Sequence, residues 1–274
     1  MQNTLQMQAE AQGDWDPGQY ERFAAERAQP FWDLVALVEA HAELPSARRA
    51  RDLGCGTGEL TAQLAARLGI AEMTGSDSSP AMLARAREQE RPGLRFEEQD
   101  LARWTSTGDH DLVFANASLQ WVPDHQGVLA RWWAALRPGG HLAVQVPANA
   151  DHASHRVAAA VAAGEPFRSA MGGTIPPDPV AANVLAPEQY AVLLDHLGAE
   201  AQHVRLQVYG HVLGSTADVV EWVRGTSLTR IFKVLPAALH EEYVDAYRRR
   251  LVDELGDRSP YFYPFKRILL WARK

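Results

Sequence analysis

Arg51-Asp52-Leu53-Gly54-Cys55-Gly56-Thr57-Gly58-Glu59 is the stretch whose reading decides the fold. Three glycines at alternate positions let the backbone turn tightly, take φ > 0 and approach a bound molecule with no Cβ in the way. Leu60, Leu64 and Leu68 follow at four-residue spacing, with Gly69 as a stop, so a helix is predicted directly after the loop. A glycine loop opening a helix is the nucleotide-site arrangement of open α/β sheets. Glu59 stands where a dinucleotide fingerprint needs its third glycine, and the Gly-Lys-Ser/Thr of a phosphate-binding loop is absent.

Upstream of the loop, Ser46 to Asp52 has to be the feeding strand, although three arginines are unusual in a buried parallel strand. Pro30 restarts the chain ahead of an amphipathic stripe, Phe31, Leu34, Val35 and Val38. Before that, Asp16-Pro17 reads as a helix start, with Tyr20, Phe23 and Arg27 on one face. Residues 1–13 carry no pattern.

Downstream, a weak strand from Glu72 to Ser76 ends at Asp77, and Ser78-Ser79-Pro80 caps a helix containing Met82. Because the serines cap, Asp77 is expected to be free. It lies about 20 residues past the loop, where α/β nucleotide sites place an acid for ribose hydroxyls. Leu94 and Phe96 lead into Gln99-Asp100-Leu101, a third strand ending in an acid. Asp100 could take an adenine amino hydrogen; a capping or solvated aspartate reads nearly as well. Asp111 to Ala115 is the clearest buried strand and runs into Asn116-Ala-Ser-Leu-Gln-Trp-Val122. A helix over 128–136, a Pro138-Gly139-Gly140 turn and a strand over 141–146 follow.

The β-α rhythm predicts a parallel sheet covered on both faces. Residues 148–186, rich in Ala, Gly and Pro, read as a lid or connection. A helix over 187–197, a strand over 201–208, helices over about 215–225 and 236–255 and a last strand over 268–271 complete the chain. The expected division is a helical segment over 1–45, an α/β domain over 46–209 and 263–274, and a helical cap over 210–262.

The whole chain excludes several classes. Its 274 residues can bury a full core, and 46% hydrophobic with 22% charged residues is ordinary for a globular protein. A net charge of −7 argues against nucleic acid as a partner. No apolar run is long enough to span a membrane, and residues 1–13 have no signal-peptide core. With Cys55 as the one cysteine no internal disulfide forms, so a cytoplasmic setting is the default, and a monomer is expected.

The residues together resemble a family. Asp52-Leu-Gly-Cys-Gly-Thr-Gly58 is similar to the first motif of class I methyltransferases, which use S-adenosylmethionine (SAM). Trp15-Asp16-Pro17, Asp77-Ser-Ser-Pro-Ala-Met82, Asn116-Ala-Ser-Leu-Gln-Trp121, Pro147-Ala-Asn149, Trp222-Val-Arg-Gly-Thr226 and Pro264-Phe-Lys-Arg267 extend the likeness over nearly the whole chain, to the trans-aconitate 2-methyltransferase family. The resemblance implies a class I (Rossmann-like) sheet of seven strands and SAM as cofactor. It implies methyl transfer to a carboxylate of a small polycarboxylic acid. The cofactor residues it implies are Tyr20, Arg27, Asp52, Gly54, Cys55, Gly56, Asp77, Ser78, Met82, Asp100, Leu101, Asn116, Ala117, Gln120 and Trp121.

A carboxylic acid is ionised at neutral pH, so no catalytic base is expected. A polyanionic acceptor calls for arginine forks. Arg224, Thr226, Tyr261, Tyr263, Lys266 and Arg267 are the substrate-side candidates, with Arg230 also considered. A carboxylate on a malonyl carrier protein, another metabolite, or SAM binding without turnover are the alternative readings. Asp151, His152 and His155 have metal-ligand spacing but no third ligand group, so the histidines are expected to be solvated and no metal is assigned. Cys55 is read as a small filler.

Overall fold

A computed structural model describes residues 24–41 and 48–274. The chain divides into two compact units. Of the described residues, one holds 28–148, 183–208 and 266–274; the other holds 149–182 and 209–265, with 24–27. The sequence division placed 46–209 in one domain, so the added segment is 149–182. This segment is helical rather than a loop: α5 (Ala153–Ala162), α6 (Phe167–Ala170) and α7 (Pro179–Asn183) occupy it. Val157, Val161 and Phe167 are buried there, which the count of Gly and Pro hid.

In the sheet unit, the glycine loop lies between β1 (Arg49–Leu53) and α2 (Glu59–Leu68). β2 (Glu72–Asp77), α3 (Pro80–Ala86), β3 (Leu94–Glu98), β4 (His110–Asn116), α4 (His125–Ala134), β5 (Leu136–Pro147) and α8 (Pro187–His196) follow. β6 (Ala201–Leu213) and β7 (Tyr261–Arg273) have residues in both units. The seven strands are ordered β3-β2-β1-β4-β5-β7-β6. β7 runs antiparallel to β5, and the pairs from β3 to β5 are parallel.

Alternate residues bury on opposite faces, as a two-sided sheet requires. Leu112, Phe114, Ala143, Leu269 and Trp271 pack with Phe31 and Leu34 of α1 (Ala24–His41) and Leu64 of α2. Val113, Ala115, Leu142, Val144 and Leu270 pack with Leu129 and Trp132 of α4 and Tyr190 of α8. The chain works outward from β1 to β3, then returns to place β4 on the other flank. A ligand crevice therefore belongs at the carboxyl ends of β1 and β4.

Several expectations need correction. Pro30 does not restart the chain; α1 runs through it, because Phe31, Leu34 and Val38 bury on one side. The arginines of the first strand have partners that local patterning could not show. Arg51, 5% exposed, pairs with Glu97 and lies over the Trp104 ring, while Arg49 pairs with Asp109. Pro138-Gly139-Gly140 falls inside β5, which starts at Leu136, with an irregularity in its pairing to β4. β3 stops at Glu98, so Asp100 sits in the following turn. β6 and β7 both extend beyond the predicted strands.

In the helical unit, α5 packs with α9 (Asp218–Arg224), α10 (Thr229–Phe232) and α11 (His240–Leu255) in one apolar cluster that includes Val157, Trp222, Ile231, Tyr243 and Tyr247. Among the described residues no helix is long and apolar enough to cross a membrane.

Candidate functional site

The site grows from the end of β1. Gly54 and Cys55 both donate to the Ser76 carbonyl, at 2.7 and 2.9 Å, which turns the chain off the sheet. Gly54 has φ +83, and a Cβ there would lie 2.3 Å from that of Ser118. No other residue fits, because the turn after β4 presses against the loop. Ser118 seals the contact by donating from Oγ to the Leu53 carbonyl at 2.6 Å. The side of Gly56 is different: at φ +56, an added Cβ would meet nothing within 4 Å. One glycine is needed for protein packing, the other leaves an open backbone surface.

Beneath the loop lies Asp52, 4% exposed, accepting from the Thr61 hydroxyl at 2.5 Å. Burial raises its carboxyl to about 7, against the pull of the Thr61 bond. The pair ties the end of β1 to the first turn of α2. Cys55 is half-buried, and burial pushes its thiol well above the usual range, so it is no nucleophile.

Asp77 closes the next side, and not as a free group. Its two oxygens accept from Gly56 N–H at 3.0 Å and Ser79 N–H at 2.9 Å. Ser79 itself caps α3, accepting from Met82 N–H, with Pro80 at the first helical position. Each carboxylate oxygen still has a lone pair to offer a hydroxyl. Ser78 is exposed and Met82 half-buried. Asp100 accepts from Ala102 N–H at 2.9 Å and is largely exposed. The side chain of Leu101 lies beside Gly54, and its carbonyl accepts from the Trp132 indole.

The fourth side is the turn after β4. Ala117 holds φ +52, rare for a residue with a Cβ and typical of built sites. Gln120 donates to the Ala117 carbonyl at 2.6 Å and Trp121 is 49% exposed. Sequence reasoning missed what braces this turn. His125 donates from Nε2 to the Leu119 carbonyl at 2.9 Å and takes the Tyr190 hydroxyl on Nδ1 at 2.6 Å. Burial lowers its pKa, which keeps the ring neutral. Thr61 and Ser118 escaped notice equally, since a lone hydroxyl carries no sequence signal.

The structure thus brings together Asp52, Gly54, Cys55, Gly56, Asp77, Leu101, Asn116, Ala117 and Gln120 at the carboxyl edge. Tyr20 lies outside the described residues, as does the side chain of Arg27. Lys266 and Arg267 stand at this edge too, where Arg267 pairs in register with Pro147 and the Lys266 carbonyl accepts from Ala148 N–H.

The remaining candidates lie in the helical unit and take up its internal contacts. Arg224 pairs with Glu241 at 2.5 Å, and Thr226 donates to the Val223 carbonyl at 3.3 Å. Tyr263 is fully buried with its hydroxyl 3.2 Å from Ser154 Oγ, and the Tyr261 hydroxyl is 3.4 Å from His152 Nε2. The histidines are not solvated as expected. His152 caps α5, and His155 is buried, 2.7 Å from Asp178, which also faces Arg230 at 3.6 Å. Burial raises the Asp178 carboxyl, but the His155 hydrogen bond and the charge of Arg230 outweigh it and hold the group below the usual carboxylate range. Among the described residues no cluster of three metal-ligand types occurs.

Comparison with known proteins adds to this geometry. Residues 51–140 match a family described as a methyltransferase domain. The chain is 45% identical to trans-aconitate 2-methyltransferase of Deinococcus radiodurans, over 95% of this chain and 98% of that protein. It is 40% identical to the protein of the same name from Methylobacterium radiotolerans, with the same two coverages. A solved phosphoethanolamine N-methyltransferase 2 of Haemonchus contortus, in complex with S-adenosyl-L-methionine, shares the fold at TM-score 0.55 and 16% identity, over 96% of this chain and 60% of that one.

Proposed function

The chain belongs to the trans-aconitate 2-methyltransferase family, and from that premise we infer that it transfers the methyl group of SAM to a carboxylate of trans-aconitate, forming a monomethyl ester. The observation that carries this reading is the carboxyl edge itself, where the open flank of Gly56, the carboxylate of Asp77 and the strained Asn116-Ala117-Ser118 turn converge.

These residues suit SAM. Its ribose presents two hydroxyls, and Asp77 keeps one lone pair on each oxygen after its two backbone bonds. Gly54, Cys55 and Gly56 supply backbone with little side chain, while Asp52 braces the loop from below. Ser78, Met82, Asp100 and Leu101 serve the adenosine end, and Asn116, Ala117, Gln120 and Trp121 the sulfur end. Bound there, SAM supplies a methyl group made electrophilic by its sulfonium charge.

The acceptor needs no activation. A carboxylate is ionised at neutral pH, so the protein has only to hold it in line and exclude water. Near-attack alignment of two reactants is worth roughly 7–11 kcal/mol in favourable cases. Because the protein carries a net charge of −7, long-range attraction cannot gather a polyanion. Local cations must select it, and Lys266 and Arg267 carry that part. Arg224, Thr226, Tyr261 and Tyr263 belong to the helical unit.

Mass spectrometry of the protein incubated with SAM and a panel of di- and tricarboxylic acids tests the reading. Trans-aconitate gains one methyl group. Methylation of a malonyl carrier protein instead, or SAM binding with no product, would displace it.

A further inference from the structure

A glutamine stands in the middle of an apolar strand. Gln145 is 1% exposed, between Val144 and Val146, which are fully buried. Its ladder neighbours are Asn116 on β4 and Leu269 on β7. Neither the oxygen nor the nitrogen of its amide has a hydrogen-bond partner among the described residues. Asn116 Oδ1 and Gln120 Oε1 are buried without partners as well. An unsatisfied buried polar group costs about 1–3 kcal/mol, and the fold gains nothing by it, since leucine would fill the same space. Such groups persist where a ligand completes them.

Resting on the proposed function, we propose that Gln145 orients the reacting carboxylate of the acceptor. Its place points to the acceptor rather than the cofactor. The glycine loop and Asp77 follow β1 and β2, whereas β5 lies beyond β4 on the opposite flank. Arg267 is two residues along β7 from Leu269, so it shares Gln145's face of the sheet one step nearer the carboxyl edge.

The chemistry explains why an amide and not an arginine would hold the reacting group. A carboxylate oxygen lone pair forms the bond to the methyl carbon as the methyl–sulfur bond breaks, its electron pair staying on sulfur. Anion and sulfonium become neutral ester and thioether, and no proton moves. Negative charge on the carboxylate therefore falls as the transition state forms. A cation gripping that carboxylate would stabilise the ground state more than the transition state, which slows the reaction. A neutral N–H donor gives direction with a smaller ground-state penalty. The cations are left to bind the carboxylates that do not react.

Gln145→Leu separates this role from a structural one. Kinetics with trans-aconitate, calorimetry with SAM and thermal denaturation are measured on both proteins. The variant is expected to lose roughly 30-fold or more in kcat/KM, mostly in kcat, the equivalent of about 2 kcal/mol. Its SAM affinity stays within about twofold, and its Tm rises because an unsatisfied amide has gone. A variant that retains kcat, unfolds or melts earlier overturns the inference, since the amide would then serve the fold. A wild-type protein that binds SAM but leaves trans-aconitate unmethylated defeats the substrate reading and this inference together. An active wild type with an equally active variant defeats this inference alone.

Discussion

Three buried hydroxyls of the helical unit and three buried amides at the carboxyl edge of the sheet unit are satisfied in opposite ways. In the helical unit three buried hydroxyls close on the unit's own backbone. Tyr243 donates to the Ala158 carbonyl at 2.8 Å, Tyr247 to that of Ser154 at 3.0 Å, and Thr216 to that of Gly256 at 2.7 Å. At the carboxyl edge of the sheet unit, Asn116, Gln120 and Gln145 bury amide atoms that have no hydrogen-bond partner among the described residues. The three hydroxyls are finished without a ligand; the amides are not. Burial of a polar group therefore marks no site by itself; several open hydrogen-bond valences meeting at the carboxyl edge of the strands do.

The strongest way to break this contrast is at Gly54. Gly54→Ala puts a Cβ against Ser118 at φ +83, adding backbone strain to overpacking for a loss of about 3 kcal/mol or more. Thermal denaturation should show a large fall in Tm, with SAM binding lost in whatever remains folded. A variant of ordinary stability that binds SAM would show that the two loops are not locked together.

Asp77→Ala comes next. It removes the ribose acceptor together with the bonds from Gly56 and Ser79, so SAM affinity is expected to fall at least tenfold, about 1.4 kcal/mol. Unchanged calorimetric affinity would take Asp77 out of the site.

How far the sequence foretold the site differs from residue to residue for a physical reason. The glycine spacing, the acid at the end of β2 and the Asn116 turn were legible because backbone conformation and short-range spacing leave traces in the chain. The parallel sheet covered on both faces was legible from the β-α rhythm, and its seven strands from the resemblance. Arg51 misled because its partner Glu97 is far away in sequence and its burial depends on Trp104. Thr61, Ser118 and His125 were invisible, as each works through one contact with a distant backbone or side-chain atom. Gln145 did leave a mark, an amide within Leu142-Ala143-Val144-Gln145-Val146, and periodicity treats that only as a polar interruption. The 149–182 segment looked like a loop because Gly172-Gly173 and Pro176-Pro177 dominate its reading, although the helices beside them are rich in alanine.

Tyr247→Phe sharpens the comparison from the other side. It strips the Ser154 carbonyl of a buried donor for about 1 kcal/mol, lowering Tm by about 2–4 °C in a chain of this size. SAM affinity and turnover should not move. A loss of turnover without loss of Tm would mean that the hydroxyl serves the reaction.

The last effect expected is on pH dependence. Asp52 has its carboxyl raised by burial from 3.8 to about 7, so the folded state keeps a proton that the unfolded state has released. The resulting stability is complete below the unfolded value and is lost as pH rises through the folded one. Asp52→Asn keeps an acceptor for Thr61 and removes the titration. Its Tm relative to wild type should rise between pH 5.5 and 8, whereas parallel profiles would show that Asp52 stays ionised in the fold.

The central claim is that the carboxyl edge of the sheet unit methylates a polycarboxylate held in one fixed geometry. Competition between trans- and cis-aconitate tests it most directly, with equal concentrations of both acids, saturating SAM and the ester products separated and counted. Fixed cations and a fixed amide read the angle between carboxylates across the rigid double bond, so the trans ester should predominate by at least tenfold, about 1.4 kcal/mol of discrimination. Equal yields of the two esters, or no ester at all from a protein that binds SAM, would contradict the account.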